Sequence, residues 1–136
     1  MGYDITLCGA VDIMPPFTDA EAKQINKELQ EDPECYTRPH PEGYCEWYVN
    51  EHGGGYVEWN GNEKFTYASG WLKWFIDEYV AKSGRTADGE IECEGEDGAK
   101  WLIRVKDNKV YSLTAAVQWI NPVEITNEVW DDYETA

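Results

Sequence analysis

The chain has 136 residues and a formal net charge of −16 at pH 7, from 27 acidic and 11 basic side chains. Its length predicts one domain with a single core, and its hydrophobic fraction of 42% is typical of a folded protein rather than a disordered one. The excess of acid argues against direct binding to nucleic acid or to an anionic membrane, because Lys and Arg must meet phosphate in both.

The N-terminal third predicts a strand and a helix. Apolar residues occupy the odd positions from Tyr3 to Ile13, which indicates a strand with one apolar face that ends before residues 15–16, Pro-Pro. Thr18 and Glu21 form a capping-box pattern at the start of a helix. That helix stops before Pro33 and has a thin apolar stripe, so we expect it on the surface.

The middle of the chain predicts a hairpin and a second helix. Segments 44–49 and 56–59 flank a run of three glycines, and Trp47 and Val49 can face Val57 and Trp59 across the hairpin. The strongest helix pattern spans 68–82 and predicts a buried stripe. Its members are Ala68, Trp71, Leu72, Phe75, Ile76, Tyr79 and Val80. Trp74 falls off this stripe and is a candidate exposed anchor for an interface.

Residues 86–120 predict three consecutive antiparallel strands, at 88–95, 100–106 and 109–120, with a two-residue turn at residues 107–108, Asp-Asn. The element order is therefore β-α-β-β-α-β-β-β. We expect an α+β fold with a mostly antiparallel sheet, one well-buried amphipathic helix and one surface helix. Residues 1–122 would form the domain, and residues 123–136 an acidic C-terminal tail.

Three segments resemble a group of small phage and bacterial proteins. These are E-W-N-G-N-E-K-F at 58–65, W-L-K-W-F-I at 71–76, and G-E-I-E-C-E-G-E-D at 89–97 followed by V-K-D-N-K-V at 105–110. The shared pattern is a Trp-bearing helix, a G-E-(V/I)-E-x-x-G-E-D strand and a D-N hairpin. Cys93 stands where that group usually has an aromatic residue, and Glu94 where it usually has Gln. The resemblance implies the same fold and a phage or mobile-element setting, and it carries over no catalytic residues.

The alternating acids of the strand at 88–95 are the main functional signal. Glu90, Glu92, Glu94 and Glu96 would line one face at steps of about 6.6 Å, close to two base-pair rises of about 3.4 Å. They could imitate nucleic-acid phosphates, or they could simply pair with Arg104 and Lys106 on the next strand. The full set of candidate partner-binding residues is Glu90, Glu92, Glu94, Glu96, Asp97, Glu46, Glu58, Asp131 and Asp132.

A metal site or a catalytic site is not expected from the sequence. The four residues Cys35, His40, Cys45 and His52 have a spacing that fits no standard zinc pattern. No nucleophile, phosphate-binding or dinucleotide-binding motif occurs, and an exposed row of carboxylates lacks the pocket that acid–base catalysis needs. We therefore expect no cofactor and no enzymatic activity.

The sequence has no signal peptide, lipidation motif or long apolar run, so we expect a cytoplasmic protein. Its four cysteines contain no C-x-x-C pair and should be free thiols. They are Cys8, Cys35, Cys45 and Cys93. The leading hypothesis is a phage-encoded acidic inhibitor that mimics nucleic acid and binds a host defence nuclease complex, such as a CRISPR effector or a restriction enzyme. The alternatives are a small-ligand-binding protein or enzyme with a pocket between helix 68–82 and the sheet, and an accessory protein whose acidity serves solubility.

Overall fold

A computed structural model describes residues 3–31, 39–116, 120–122 and 124. The elements are β1 (Ile5–Met14), α1 (Asp19–Leu29), β2 (Trp47–Val49), β3 (Tyr56–Trp59), α2 (Ala68–Phe75), β4 (Thr86–Gly95), β5 (Lys100–Lys106) and β6 (Lys109–Thr114). This order confirms the predicted α+β fold. No helix in these ranges is long and apolar enough to cross a membrane.

All six strands join one antiparallel sheet in the order β2-β3-β1-β4-β5-β6. The predicted hairpin register is confirmed, since Trp47 opposes Trp59 and Val49 opposes Val57. The predicted two-residue turn between β5 and β6 is also present, with positive φ angles of 49° at Asp107 and 68° at Asn108. Positive φ at both central residues is the geometry whose twist matches the flanking strands.

The core lies on one side of the sheet, where the apolar residues of each strand meet the helices. The capping box of α1 is present, with the Glu21 backbone N–H donating to the Thr18 side chain at 3.1 Å. Helix α1 lies on the surface, as predicted, and it buries its apolar residues Ala22, Ile25 and Leu29. Its apolar stripe is narrow, but it lies against β2 and completes the core there.

The predicted helix at 68–82 divides into three parts. Regular α-helix ends at Phe75, a π-helical turn covers Ile76–Val80, and a 3₁₀ turn covers Ala81–Ser83. The wider π turn rotates the following residues relative to the stripe. Val80 is fully buried, as predicted, whereas Tyr79, also predicted to be buried, is only partly so. Gly84 ends the segment with a φ of 74°, the left-handed conformation that favours glycine at the end of a helix.

Strand β6 is shorter than predicted, because it ends at Thr114 rather than near residue 120. Residues 117–119 lie outside the described ranges. Val110 of β6 packs against the core, but two larger apolar residues of this strand do not. Cross-strand pairing places Tyr111 opposite Arg104 and Leu113 opposite Leu102, on the side of the sheet that the helices do not cover.

Candidate partner-binding face

The side of the sheet turned away from the helices, which we call the open face, carries the residues that alternate with the core. On β1 and β4 these include five exposed carboxylates, the acidic lane: Asp12, Asp88, Glu90, Glu92 and Glu94. Successive acids of β4 are about 6.6 Å apart. Asp12 lies directly opposite Asp88. Opposed like charges destabilise a sheet, but Asp88 also accepts a hydrogen bond from the Asp107 backbone N–H at 2.9 Å, which stabilises the turn after β5.

A set of four exposed bases, the basic lane, runs beside the acids on the open face: Lys100, Arg104, Lys106 and Lys109. Arg104 Nε donates to Glu90 Oε2 at 2.6 Å, so the cross-strand pairing expected for Arg104 is present. The other observed base is Lys100, whose Nζ lies 3.9 Å from Glu94 Oε1, instead of the predicted Lys106. These side chains are about half exposed, and such pairs contribute little to stability.

Glu92 has different neighbours from the acids on either side of it. It lies opposite Cys8 on β1 and Leu102 on β5. A groove of about 560 Å³ opens here, and its floor includes Cys8, Leu102 and Leu113 beside Glu92 and Glu94. Long basic side chains place their aliphatic stems on apolar surface and their charged heads against carboxylates. The groove therefore has the chemistry to accept a Lys or Arg side chain.

Two of the predicted row residues belong to the β4–β5 turn and stabilise it locally. The Asp4 backbone N–H donates to Glu96 Oε1 at 3.1 Å. The Tyr3 hydroxyl donates to Asp97, and this hydrogen bond lowers the pKa of Asp97 and raises the pKa of Tyr3. Both carboxylates lie in the turn beyond Gly95, where β4 ends, so the row along the strand is shortened to Glu90, Glu92 and Glu94.

The remaining described candidates lie near the β2–β3 hairpin. Glu46 accepts hydrogen bonds from the side chains of Asn60 at 2.9 Å and Asn62 at 2.5 Å, which orders the loop after β3. Glu58 lies on the open face of β3 and accepts from the Tyr48 hydroxyl at 2.9 Å, a bond that raises the pKa of Tyr48. Only Glu58 therefore shares a face with the acidic lane. Two further candidates, Asp131 and Asp132, lie outside the described ranges.

The described residues of the hypothetical metal set have separate surroundings. The His40 ring stacks on Trp71 with centroids 5.4 Å apart. Cys45 is buried, which raises the pKa of its thiol to about 12, and His52 is exposed. Among the residues that the structure describes, no three His, Cys, Asp or Glu side chains converge on a possible metal position. Cys35 lies outside those residues, so the absence of zinc stays a prediction.

The space between α2 and the sheet is filled by side chains. Trp71, Leu72 and Phe75 have no measurable exposure. Trp74, the candidate exposed anchor, is partly buried and packs edge-on against Trp71 at 5.3 Å and Tyr79 at 6.0 Å. Trp74 is therefore part of the packing around the core, which corrects the interpretation as an exposed anchor.

Asn26 is a structural residue that the sequence analysis missed. Its side chain is buried on α1 and makes two 2.8 Å hydrogen bonds to the backbone of Val49, donating to the carbonyl and accepting from the N–H. The amide thereby completes the outer edge of β2 as a neighbouring strand would. A polar residue one position after Ile25 in the apolar stripe was the only available signal.

Comparisons with protein-family models, with curated proteins and with solved structures found no match to this chain. The resemblance to small phage and bacterial proteins therefore stays a prediction. Any functional interpretation depends on the open face itself.

Proposed function

We propose that this protein is an acidic inhibitor, encoded by a phage, that binds a nucleic-acid-binding protein of the host in place of the nucleic acid. The proposed partner class is a defence nuclease complex, such as a CRISPR effector or a restriction enzyme. The observation that supports this proposal is the acidic lane, five exposed carboxylates on adjacent central strands of a face that the described helices leave uncovered.

The lane combines a charge pattern with a rigid support. Acids spaced by about 6.6 Å along β4 match every second phosphate of one nucleic-acid strand, where successive charges are about 3.4 Å apart along the helix axis. Strands hold side chains more precisely than loops do, so the charges would meet a Lys/Arg-lined groove together. The net charge of −16 would also steer the protein toward a basic partner and speed association, an effect that weakens as salt rises.

The acids to test are chosen so that the salt bridges of the open face are preserved. Reversing Glu90 or Glu94 would also remove a pair with Arg104 or Lys100. The double variant Asp12→Lys/Glu92→Lys avoids this, because Glu92 faces Leu102 and a lysine at position 12 would lie opposite Asp88. It changes the charge of the lane while preserving both cross-strand pairs.

The matched control is Glu31→Lys/Glu42→Lys, which makes the same change in net charge on exposed residues outside the open face. Each protein is immobilised and exposed to a host lysate at low and high salt, and captured proteins are then eluted with a double-stranded DNA oligomer. The proposal expects DNA-eluted, salt-sensitive capture by the wild type and the control, and at least about a tenfold loss with the lane variant. Equal capture by both variants, or capture that DNA does not release, would contradict it.

A further inference from the structure

The open face is amphipathic as well as charged. Three of the large apolar side chains that the structure exposes lie on it: Met14 at 64% exposure, Tyr56 at 48% and Tyr111 at 49%. Leu102 and Leu113 are partly exposed beside the groove. Exposed apolar groups gathered on one face, with Tyr and Met among them, are characteristic of an interface with another protein.

The strand register arranges these side chains in rows that cross four strands, from β1 through β4 and β5 to β6. The first row holds Ala10, Glu90, Arg104 and Tyr111. The second row holds Cys8, Glu92, Leu102 and Leu113. In a third row the three strands from β1 to β5 contribute Thr6, Glu94 and Lys100. Each of the two complete rows thus has a small side chain on β1, an acid on β4, a long side chain on β5 and a large apolar side chain on β6.

This order is self-complementary under a two-fold rotation. Let the two-fold axis lie midway between the two facing sheets, parallel to the strands and above the gap between β4 and β5. Each row then faces the same row of a second copy in reverse order. Glu90 then meets Arg104 of the second copy, and Glu94 meets Lys100 of the second copy. Only Glu92 among these acids has no base opposite. Because the contact is isologous, each charge pair occurs twice.

The apolar ends of the rows also match under the same rotation. Cys8 meets Leu113 of the second copy, and Ala10 meets Tyr111 of the second copy. Each contact joins a small residue of β1 to a large residue of β6, which suits interdigitation between sheets about 10 Å apart. We infer that the open face binds a second copy of this chain, forming a two-fold dimer in which the two sheets pack face to face.

The dimer would be weak and dependent on concentration. Four strands at spacings of about 4.8 Å, over six residues at about 3.3 Å, give roughly 300–400 Å² of projected area on each copy. This is below the roughly 800 Å² per partner of a standard interface, as in weak, transient contacts. The inference goes beyond the proposed function and does not depend on it. The same acids would serve both contacts, so dimerisation and partner binding would exclude each other.

The test uses lane-reversed variants of the purified full-length chain without any partner. One variant carries Glu90→Arg/Glu94→Lys and the other Lys100→Glu/Arg104→Glu, and sedimentation velocity follows each over a wide concentration range. Like charges then face each other in either homodimer, so we expect its dissociation constant to rise at least about a hundredfold. Mixing the two variants restores opposite charges at every position, so the mixture should dimerise.

A chain with all four substitutions is the control for folding. It restores opposite charges in the salt bridges within the chain and in those of the homodimer. A thermal melt of each protein confirms that it is folded. The thiol of Cys8 gives a second measurement in a Cys35→Ser background, since Cys8 is exposed and both Cys45 and Cys93 are buried. Its labelling by a bulky maleimide should slow as the protein concentration rises.

Several results would overturn the inference. A wild-type chain that stays monomeric at every concentration would do so, and slow Cys8 labelling at high dilution would then indicate that the chain covers its own open face. A dimer that survives both lane reversals uses another surface. A mixture of the two variants that fails to dimerise, although both are folded and the wild type dimerises, would contradict the two-fold arrangement of the lanes.

Discussion

The contact between Asn26 and β2 predicts a large loss of stability on replacing one buried side chain. In Asn26→Ala, the N–H and the C=O of Val49 both lose their partners at the strand edge. A buried polar group without a partner costs about 1–3 kcal/mol. Two such groups give about 2–6 kcal/mol, and entry of water at an edge strand favours the lower part, about 2–4 kcal/mol. Total stabilities are about 5–15 kcal/mol, so a substantial fraction would be lost.

The assay is urea unfolding followed by tryptophan fluorescence, combined with hydrogen exchange at the Val49 amide. We expect a lower urea midpoint, and exchange at Val49 that accelerates more than exchange in β4. The matched control is Gln24→Ala, because Gln24 is exposed on the same helix and its amide donates to the exposed side of the helix, to Glu28 Oε2 at 3.0 Å. That change should stay within about 0.5 kcal/mol.

The isosteric variant Asn26→Asp separates the hydrogen bonds from side-chain volume. A carboxylate can still accept from the Val49 N–H, but it would face the Val49 carbonyl and the Glu51 carboxylate, which both accept from the Asn26 amide now. The folded protein would raise the pKa of this aspartate, so its destabilising effect should grow as pH rises above the pKa of the unfolded chain. An unchanged midpoint with a protected Val49 amide in Asn26→Ala would refute the reasoning.

Two further predictions concern the core and the acid response. Phe75→Ala should lower the free energy of unfolding by about 3–5 kcal/mol, because Phe75 is fully buried. An unchanged urea midpoint would show that the packing of α2 contributes little to the stability of the core. Tyr3→Phe should raise the pKa of Asp97 in a carboxyl NMR titration, because the Tyr3 hydrogen bond is the main cause of its lowered value. The folded pKa of Asp97 lies below its unfolded value, so the wild type gains this stabilisation above the unfolded pKa and loses it as pH falls through the folded one. A titration of Asp97 that Tyr3→Phe leaves unaltered would contradict the assignment.

Much of the fold could be predicted from local patterns. Alternation with period two indicated β1, β4 and β5 because strand side chains point to opposite faces in turn. The glycine run predicted the connection between β2 and β3. Position 54 requires glycine, because its φ is 67° and a Cβ there would lie 2.0 Å from the Phe17 carbonyl oxygen. The pairing of Arg104 with Glu90 could also be anticipated, since it requires only adjacent strands with opposite charges.

The candidate site depended more on tertiary structure. Alternation showed that Glu90, Glu92 and Glu94 share a face, but pairing with β1 brought Asp12 beside Asp88 and completed the acidic lane. Register, which depends on contacts far apart in sequence, also decided that Lys100 is the base nearest Glu94.

The sequence by itself determined the type and order of the strands and helices, because backbone geometry imposes their periods locally. Only the tertiary structure decided which face of β6 meets the core. Alternation separates Tyr111 and Leu113 from Ser112 and Thr114. The register with β5 then places the first pair on the open face and the second pair on the helix side. The π turn is similar, since Tyr79, which the helical pattern places on the buried stripe, is only partly buried there. Both outcomes follow from one physical fact: side-chain direction is set locally only up to a rotation or a flip, which burial against distant elements must resolve.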